Sequence, residues 1–269
     1  MKRLVFITGT RADYGKLEPL AIKSLNLGFE VHFFVTGMHL LERYGLTSIE
    51  VARNKEFKRR EFSNQNEGDN QDQILANTIN GFSDYLNQTR PDLVLIHGDR
   101  VEALAASLVC STNYIRSAHI EGGEISGTID EIYRHCNTKL CTVHLVSSAE
   151  AKSRVVQLGE HPDRVFIMGS PELDTHSKPS GISIDEVRAR YDIPWKEFGI
   201  AIFHPVTSES AWNDINLSTR LMDNPISYKL LRNIQLTPPK SIIIMNSRLK
   251  LNRTSKAINT NKIGSIQKF

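Results

Sequence analysis

The chain has 269 residues, of which 40% are hydrophobic and 23% are charged, close to the averages for soluble globular proteins. This length is enough for one large domain or two ordinary ones, each with a buried core. The apolar run that follows Met1-Lys2-Arg3 is too short for a membrane-spanning helix, and no small-residue cleavage site follows it. We therefore expect a cytoplasmic protein with no membrane partner.

The positive net charge comes from one end of the chain. Residues 1–209 carry 23 Lys and Arg against 28 Asp and Glu, whereas residues 210–269 carry 10 against 2, so the net charges are −5 and +8. The basic character therefore gives no reason to expect nucleic-acid binding by the body of the protein. The cysteines Cys110, Cys136 and Cys141 are too few and too irregularly spaced for a zinc site or a disulfide framework, and we expect buried free thiols.

Along the chain, short apolar runs alternate with segments of helical spacing. The predicted strands cover residues 3–8, 30–36, 93–96, 117–120, 143–146 and 165–168. The predicted helical segments cover residues 17–27, 74–86, 102–108, 130–140 and 149–158. Residues 38–52 are predicted as a loop followed by a helix, and residues 61–73 are polar enough for a solvated loop. This alternation predicts an α/β fold: a Rossmann-like parallel sheet with right-handed crossovers and helices on both faces.

We divide the chain into three parts. Residues 1–175 form the predicted Rossmann-like catalytic domain, and residues 176–209 a linker and the start of a second α/β domain, with a helix at 183–191 and a strand beginning near 198. Residues 210–269 are basic, rich in Asn and Ile, and largely aperiodic, although 241–245 can form a strand. Such a tail buries too little apolar surface to offset its ordering entropy, so we expect weak order there.

Three acids occupy positions that suit a ligand crevice. Asp99 and Glu121 each end a predicted strand, and Asp130 opens the helix that contains Arg134. Because ligands bind beyond the carboxyl ends of the strands in open α/β sheets, these carboxylates are expected to converge on one pocket. General acid/base chemistry needs such groups, and we expect the apolar setting of Glu121 to raise its pKa.

Each acid also has a purely structural interpretation. Asp99 can cap the helix that begins near Glu102. Asp130 lies inside a predicted capping box with Thr128 as the N-cap and Glu131 at the third helical position, which does not exclude a further role for Asp130.

The turn after the first strand, Thr8-Gly9-Thr10-Arg11, is a candidate anion site. Its backbone amides and the Arg11 guanidinium can hold a phosphate or a carboxylate, with Asp13 near the start of the next helix. The turn lacks the G-x-G-x-x-G spacing of dinucleotide-binding loops, so no nicotinamide or other cofactor is predicted.

Histidines also follow several strands. His204 ends the strand that begins near 198 and can bind or transfer protons. His97, His119 and His135 are similarly placed, but they lack the spacing of metal ligands, and no metal site is predicted.

Several short motifs occur along the first 209 residues, namely ITGTRADYGKL, VTGMHL, HGDRVEALA, HIEGGEISGT, VQLGE, GSPELD and FHPVTSE. Taken together, they resemble the motifs of the UDP-N-acetylglucosamine 2-epimerase family. The chain most resembles the hydrolysing bacterial branch that serves sialic acid synthesis, and it is also similar to relatives that act on UDP-diacetylbacillosamine. The resemblance implies a GT-B-type fold of two Rossmann-like domains, and family members use no metal or nicotinamide.

The implied reaction is elimination of UDP from the sugar nucleotide to a 2-acetamidoglucal, followed by addition of water to give N-acetylmannosamine. By motif position, the family's essential carboxylates correspond to Asp99, Glu121 and Asp130, and its cleft histidine to His204. Substrate contacts would come from the residues Arg11, Asp13, Arg100 and Arg134. The resemblance also suggests a homodimer, in nucleotide-sugar metabolism for capsule or other surface polysaccharide.

The resemblance stops near Ser210. The glycine/serine-rich nucleotide loop of the second domain, of the type GNSSxG, does not occur after Glu209, which suggests a truncated or frameshifted member. Two alternatives therefore stay open: a catalytically impaired fragment that keeps a sugar-binding or interaction domain, and a GT-B glycosyltransferase. The three-acid arrangement favours proton transfer at carbon 2 over glycosyl transfer.

Overall fold

The computed structural model describes residues 1–177, 179, 181–194, 196, 198–202, 234–237 and 242–246. The chain divides into two compact units, Met1–Lys178 and Pro179–Phe269. Strands and helices alternate through the first unit. Its strands are β1 Arg3–Thr8, β2 Glu30–Val35, β3 Lys58–Glu61, β4 Leu93–His97, β5 Ser117–Ile120, β6 Val143–Val146 and β7 Val165–Ile167. Its α-helices are α1 Arg11–Asn26, α2 Ser48–Ala52, α3 Gln71–Thr89, α4 Val101–Thr112, α5 Ile129–Leu140, α6 Ala149–Gln157 and α7 Glu172–His176.

The seven strands form one sheet in the order β3-β2-β1-β4-β5-β6-β7, and every pairing in it is parallel. The chain first builds outward from β1 to β3 and then continues on the other side of β1 with β4. The neighbouring strands β1 and β4 therefore mark the point where the winding direction reverses, which is where α/β sheets place their ligand crevice. The predicted fold class is confirmed.

The core lies on both faces of this sheet. In β1, Leu4 and Phe6 pack into one hydrophobic cluster together with Leu17 of α1. Val5 and Ile7 point to the opposite face and pack into a second cluster with α3 and α4. Since alternate residues of a strand point to opposite faces, an apolar run such as RLVFIT fits a strand that is covered on both sides.

Three features of the first unit differ from the prediction. Strand β3 was not predicted, because all its residues (KRRE) are charged and exposed and show no apolar alternation. Helix α1 begins at Arg11 rather than near 17, since the Thr10 side chain caps it by accepting a hydrogen bond from Asp13 N at 3.2 Å. The short helix α7 was also missed.

The second unit contains helix α8 Ile184–Arg190, which starts at a capping box of Ser183 and Glu186, and the strands β8 Phe198–Ile202, β9 Ile234–Thr237 and β10 Ile242–Asn246. These strands pair antiparallel in the order β8-β10-β9. The helix and the strand near 241–245 agree with the sequence pattern. The rest of the predicted tail, residues 210–233, 238–241 and 247–269, lies outside the described residues.

Two smaller predictions can be assessed in the described part of the chain. No helix there is long and apolar enough to cross a membrane. All three cysteines are free, as predicted, but Cys136 is exposed whereas Cys110 and Cys141 are buried. Cys136 lies on α5, whose buried residues are the polar Arg134, Asn137 and Thr138, so the thiol is on the outward side of that helix.

Candidate functional site

A pocket of about 370 Å³ lies at the carboxyl ends of β1, β4 and β5, next to the point where the strand order reverses. Most of its lining residues are charged or polar, and they include both acids and bases. The lining residues are Thr10, Ala12, Asp13, Lys16, His97, Gly98, Asp99, Arg100, Glu121, Glu124 and Arg134. Five residues predicted for the site, namely Asp13, Asp99, Arg100, Glu121 and Arg134, are therefore brought together.

A row of hydrogen-bonded charged side chains crosses one wall of the pocket. Asp13 Oδ1 lies 3.3 Å from His97 Nδ1, and His97 Nε2 lies 3.1 Å from Glu121 Oε2. Lys16 Nζ donates to the same Glu121 oxygen at 2.7 Å. Helix α1 supplies Asp13 and Lys16 one turn apart, while His97 is the last residue of β4 and Glu121 directly follows β5. Three separate elements thus build one hydrogen-bonded row.

These contacts shift the pKa values of the groups in opposite directions. Burial opposes the charged form of His97, but its hydrogen bonds to Asp13 and Glu121 outweigh burial and raise the pKa of His97 to about 9. Burial likewise favours neutral Glu121, but His97 and Lys16 lower the pKa of Glu121 to about 2. At neutral pH, therefore, His97 is protonated and Glu121 is a carboxylate.

The expectation of a raised pKa at Glu121 is wrong. The apolar strand before Glu121 suggested burial without a charged partner, whereas two cations meet its carboxylate in the folded protein. An opposite charge within hydrogen-bonding distance outweighs partial desolvation.

The backbone at Glu121 has an unusual conformation. Its φ is +63°, in the left-handed region that residues other than glycine rarely adopt. Here the turn places the carboxylate beside Lys16, and Ser170, which follows β7, lies within 3.4 Å of Glu121 Oε1. Strained backbone of this kind is concentrated at functional sites.

Arg134 organises the opposite wall of the pocket. Its guanidinium is buried and forms an ion pair with Asp99, and it also donates to the backbone carbonyl of Glu124 at 2.9 Å. A longer contact of 3.4 Å reaches Ser126 Oγ. One side chain of α5 thus bridges the end of β4 and the loop after β5. The planar guanidinium can do so because it carries several hydrogen-bond donors in a fixed geometry.

The turn between β4 and Asp99 is held by neutral groups. Gly98 has φ +74°, and its carbonyl accepts hydrogen bonds from His119 Nε2 at 2.8 Å and Asn137 Nδ2 at 3.1 Å. Burial lowers the pKa of His119 to about 3, so this ring is neutral, and its Nε2 must carry the proton because a carbonyl only accepts. His119 is a structural support of the turn.

Arg100 is a further cation of the pocket. Its Nε lies 3.2 Å from Glu102 Oε2, and Glu102 is buried at the start of α4. Although burial opposes the charge, Glu102, Asp13 and Asp130 raise the pKa of Arg100, so it stays protonated. The pocket therefore combines carboxylates with Lys16, Arg100 and Arg134.

Comparison with known proteins identifies the family. The family model described as UDP-N-acetylglucosamine 2-epimerase matches residues 21–257, most of the chain. The chain belongs to the UDP-N-acetylglucosamine 2-epimerase family. This match continues past residue 209, where the recognisable sequence motifs end.

Individual members of the epimerase family show how far the similarity reaches. A UDP-N-acetylglucosamine 2-epimerase of Neisseria meningitidis is 44% identical over 78% of this chain and 56% of its own length. A UDP-N,N'-diacetylbacillosamine 2-epimerase (hydrolyzing) of Legionella pneumophila is 33% identical over 78% of this chain and 57% of its own. The chain thus spans little more than half the length of these curated relatives.

A solved epimerase structure matches the fold. The structure of UDP-GlcNAc 2-epimerase from Neisseria meningitidis bound to UDP-GlcNAc aligns with a TM-score of 0.58 at 21% identity. The alignment covers 72% of this chain and 53% of the other. It supports the Rossmann-like, GT-B-type architecture expected for the epimerase family.

Two of the residues that the family resemblance implicates are not part of the pocket lining. Arg11 is largely exposed and forms an ion pair with Glu50 at 3.0 Å. Asp130 is exposed and accepts a hydrogen bond from Thr128 Oγ1 at 3.1 Å, although its charge acts on Arg100. His204 lies outside the described residues.

The structural interpretations of the acids also change. Thr128 is the N-cap residue of α5, but its side chain forms no capping bond, and Glu131 instead accepts from the amides of Ser126 and Gly127 at 2.7 and 2.6 Å. The predicted capping box is therefore wrong. Asp99 does not cap α4 either, because its carboxylate pairs with Arg134.

Sequence reasoning missed Lys16 and Glu124 and left His97 as one strand-end histidine among several. Lys16 follows Asp13 by three residues, which places both on one side of a helix, and this spacing was an available signal. Nothing in the sequence marked Glu124. Within the described residues, no three acidic, histidine or cysteine side chains are arranged to hold a metal ion.

Proposed function

We propose that this chain acts as a hydrolysing UDP-N-acetylglucosamine 2-epimerase. UDP leaves carbon 1 as a proton is removed from carbon 2, which forms a 2-acetamidoglucal. Water then adds at carbon 1 and a proton returns to carbon 2 from the opposite face. The products are UDP and N-acetylmannosamine.

The observation that carries the proposal is that one pocket holds carboxylates and cations from several strand ends. Asp99 and Glu121 supply groups for proton transfer at carbon 2. Lys16, Arg100 and Arg134 supply positive charge for the departing diphosphate, the kind of electrostatic stabilisation that lowers such barriers most. The assignment of proton removal and return among Asp99, Glu121 and Asp130 is left open, and Arg11 and His204 keep their proposed roles in substrate binding and at the cleft.

Relatives support the hydrolysing assignment and the pathway. The relative from Legionella carries the word "hydrolyzing" in its name, and a 31% identical Escherichia coli relative is called Polysialic acid biosynthesis protein P7. We therefore propose a cytoplasmic enzyme of sialic acid or related nonulosonate synthesis for surface polysaccharide, working as a homodimer. UDP-N,N'-diacetylbacillosamine is the alternative substrate.

A second candidate function is binding without turnover. The nucleotide loop expected in a second domain does not occur after Glu209. Losing those contacts would remove binding energy that positions the sugar for reaction. In that case the chain would keep a sugar-binding or interaction domain with little activity.

The test is to incubate the purified 269-residue chain with UDP-N-acetylglucosamine and, separately, with UDP-N,N'-diacetylbacillosamine. UDP release is measured by a coupled assay, and the product sugar is identified by NMR. The proposal expects UDP and a free 2-epimerised sugar without any acceptor. Dependence on an added acceptor would instead indicate a glycosyltransferase.

The Glu121→Gln variant shows whether turnover arises in this pocket. The matched control is Asp163→Asn, which makes the same acid-to-amide change at a side chain 86% exposed. Release that Glu121→Gln abolishes and Asp163→Asn preserves would support the proposal. Binding of both UDP-sugars by a folded chain with no release would favour the binding-only function.

A further inference from the structure

His97 occupies a position that packing alone does not explain. Its side chain is only 8% exposed, at the end of the central strand β4, yet each ring nitrogen faces a carboxylate. Asp13 Oδ1 is 3.3 Å from Nδ1, and Glu121 Oε2 is 3.1 Å from Nε2. The ring therefore joins the start of α1 to the acid that follows β5.

The protonation state of His97 follows from its two partners. An ionised carboxylate only accepts hydrogen bonds, and a neutral imidazole carries one N–H and one bare nitrogen. A neutral ring would leave one nitrogen lone pair facing a carboxylate oxygen. Only the imidazolium form donates to Asp13 and Glu121 together.

The other charges around His97 are consistent with this state. Lys16 and Arg100 are cations that oppose a further positive charge, but each already has an acidic partner, Glu121 and Glu102 respectively. Glu172 adds negative charge 4.0 Å from Lys16. His119 on β5 is neutral, so the two carboxylates that touch the ring decide its charge.

We propose that His97 is a positioning residue, an imidazolium at neutral pH that holds the Glu121 carboxylate ionised and directed into the pocket. The proposal rests on the proposed function, since it explains how Glu121 is prepared for proton transfer. In the resting site the proton is on His97, and Glu121 enters the reaction as a carboxylate. Lys16, which binds the same oxygen, then fixes the carboxylate from a second direction.

The first experiment needs no turnover. The ring nitrogens of the ¹⁵N-labelled full chain are observed by NMR between about pH 6 and 10, and His97→Gln assigns the His97 signals. We expect both His97 nitrogens to be protonated at about pH 7.5 and to titrate near 9. In Glu121→Gln the midpoint should fall by about one unit or more, because one carboxylate partner becomes neutral.

The second experiment measures UDP release by His97→Gln. We expect kcat to fall about 10- to 100-fold while KM stays within about twofold, because the ring acts on the acid and not on substrate binding. The wild type should lose activity as pH rises through about 9, and the variant should lack this alkaline limb. His161→Gln, at an exposed ring, is the control and should behave as wild type.

The outcomes separate the two proposals. If no UDP-sugar is turned over, the enzymatic function fails, and the NMR titration alone decides the state of His97. A neutral His97 ring at about pH 7.5, or a midpoint that Glu121→Gln leaves unchanged, overturns the positioning role. So does a folded His97→Gln variant with wild-type kcat and pH profile. If His97→Gln does not fold, the wild-type and Glu121→Gln titrations remain decisive.

Discussion

Replacing Gly123 with alanine should destabilise the first unit strongly. Gly123 has φ +81°, and an added Cβ would lie 2.3 Å from Ala151 O and 3.0 Å from Val155 Cγ2 on helix α6. The left-handed backbone costs an L-residue roughly 1–2 kcal/mol. Forcing a methyl group into this contact costs about 1–3 kcal/mol more. We therefore expect the free energy of unfolding to fall by roughly 2–5 kcal/mol.

The control is Gly45→Ala. Gly45 has nearly the same φ, +84°, but an added Cβ would meet nothing within 4 Å. The loss in the free energy of unfolding should therefore come from the left-handed backbone alone and amount to about 1–2 kcal/mol. Urea unfolding followed by circular dichroism measures both variants at one pH. Equal losses would refute the argument that the loop after β5 packs directly on α6.

Three further changes test the site. Glu121→Gln should lower kcat for UDP release about 10²- to 10⁴-fold and leave UDP affinity, measured by calorimetry, within about twofold. Because the pKa of His97 is raised on folding, the protonated ring should contribute about 3 kcal/mol to the free energy of unfolding below pH 6.5. This contribution should be lost as the pH rises to about 9, and urea unfolding at several pH values across this range measures the loss. Arg134→Lys should cost about 2–3 kcal/mol in urea unfolding, since Asp99 and the loop carbonyl bind two different nitrogens of the guanidinium and lysine has a single nitrogen on a shorter side chain.

Each of these expectations has its own contrary result. A fully active Glu121→Gln variant would remove Glu121 from proton transfer. A His97→Gln variant that loses stability between pH 6.5 and 9 as steeply as the wild type would show that other groups cause the loss. Arg43→Lys, a change at an exposed ion pair, is the control for Arg134→Lys, and equal effects would deny Arg134 its bridging role.

The sequence was sufficient to predict the sheet of the first unit, because the apolar runs of its buried strands and the helical spacing of the segments between them are both visible in the sequence. Buried strands read as short apolar runs, and their ends carry Asp99 and Glu121, so the topology places both acids at one pocket. Strand β3 was not predicted, because its side chains are charged and exposed and only its backbone pairs with β2. Pairing through backbone hydrogen bonds does not require an apolar pattern of side chains, so it cannot be recognised from the sequence of such a strand.

The electrostatics of the site were harder to predict. A carboxylate in an apolar run suggests a raised pKa, and only the folded arrangement shows that Lys16 and His97 approach Glu121 from two other elements. The partner of Arg11 was equally hard to predict, since its position in the turn after the first strand suggested contact with a phosphate or a carboxylate of a ligand. In the folded chain its guanidinium forms an ion pair with Glu50 of α2.

The two edges of the parallel sheet have opposite chemistry. The outer strand β3 exposes only charged side chains, Lys58 to Glu61, whereas the outer strand β7 exposes Phe166 and Ile167. Charged edges resist the addition of foreign strands, and apolar edges invite it. Aggregation of partly folded chains at high concentration should therefore grow from one side only. A lysine in place of Ile167 is the substitution we expect to keep refolding chains apart.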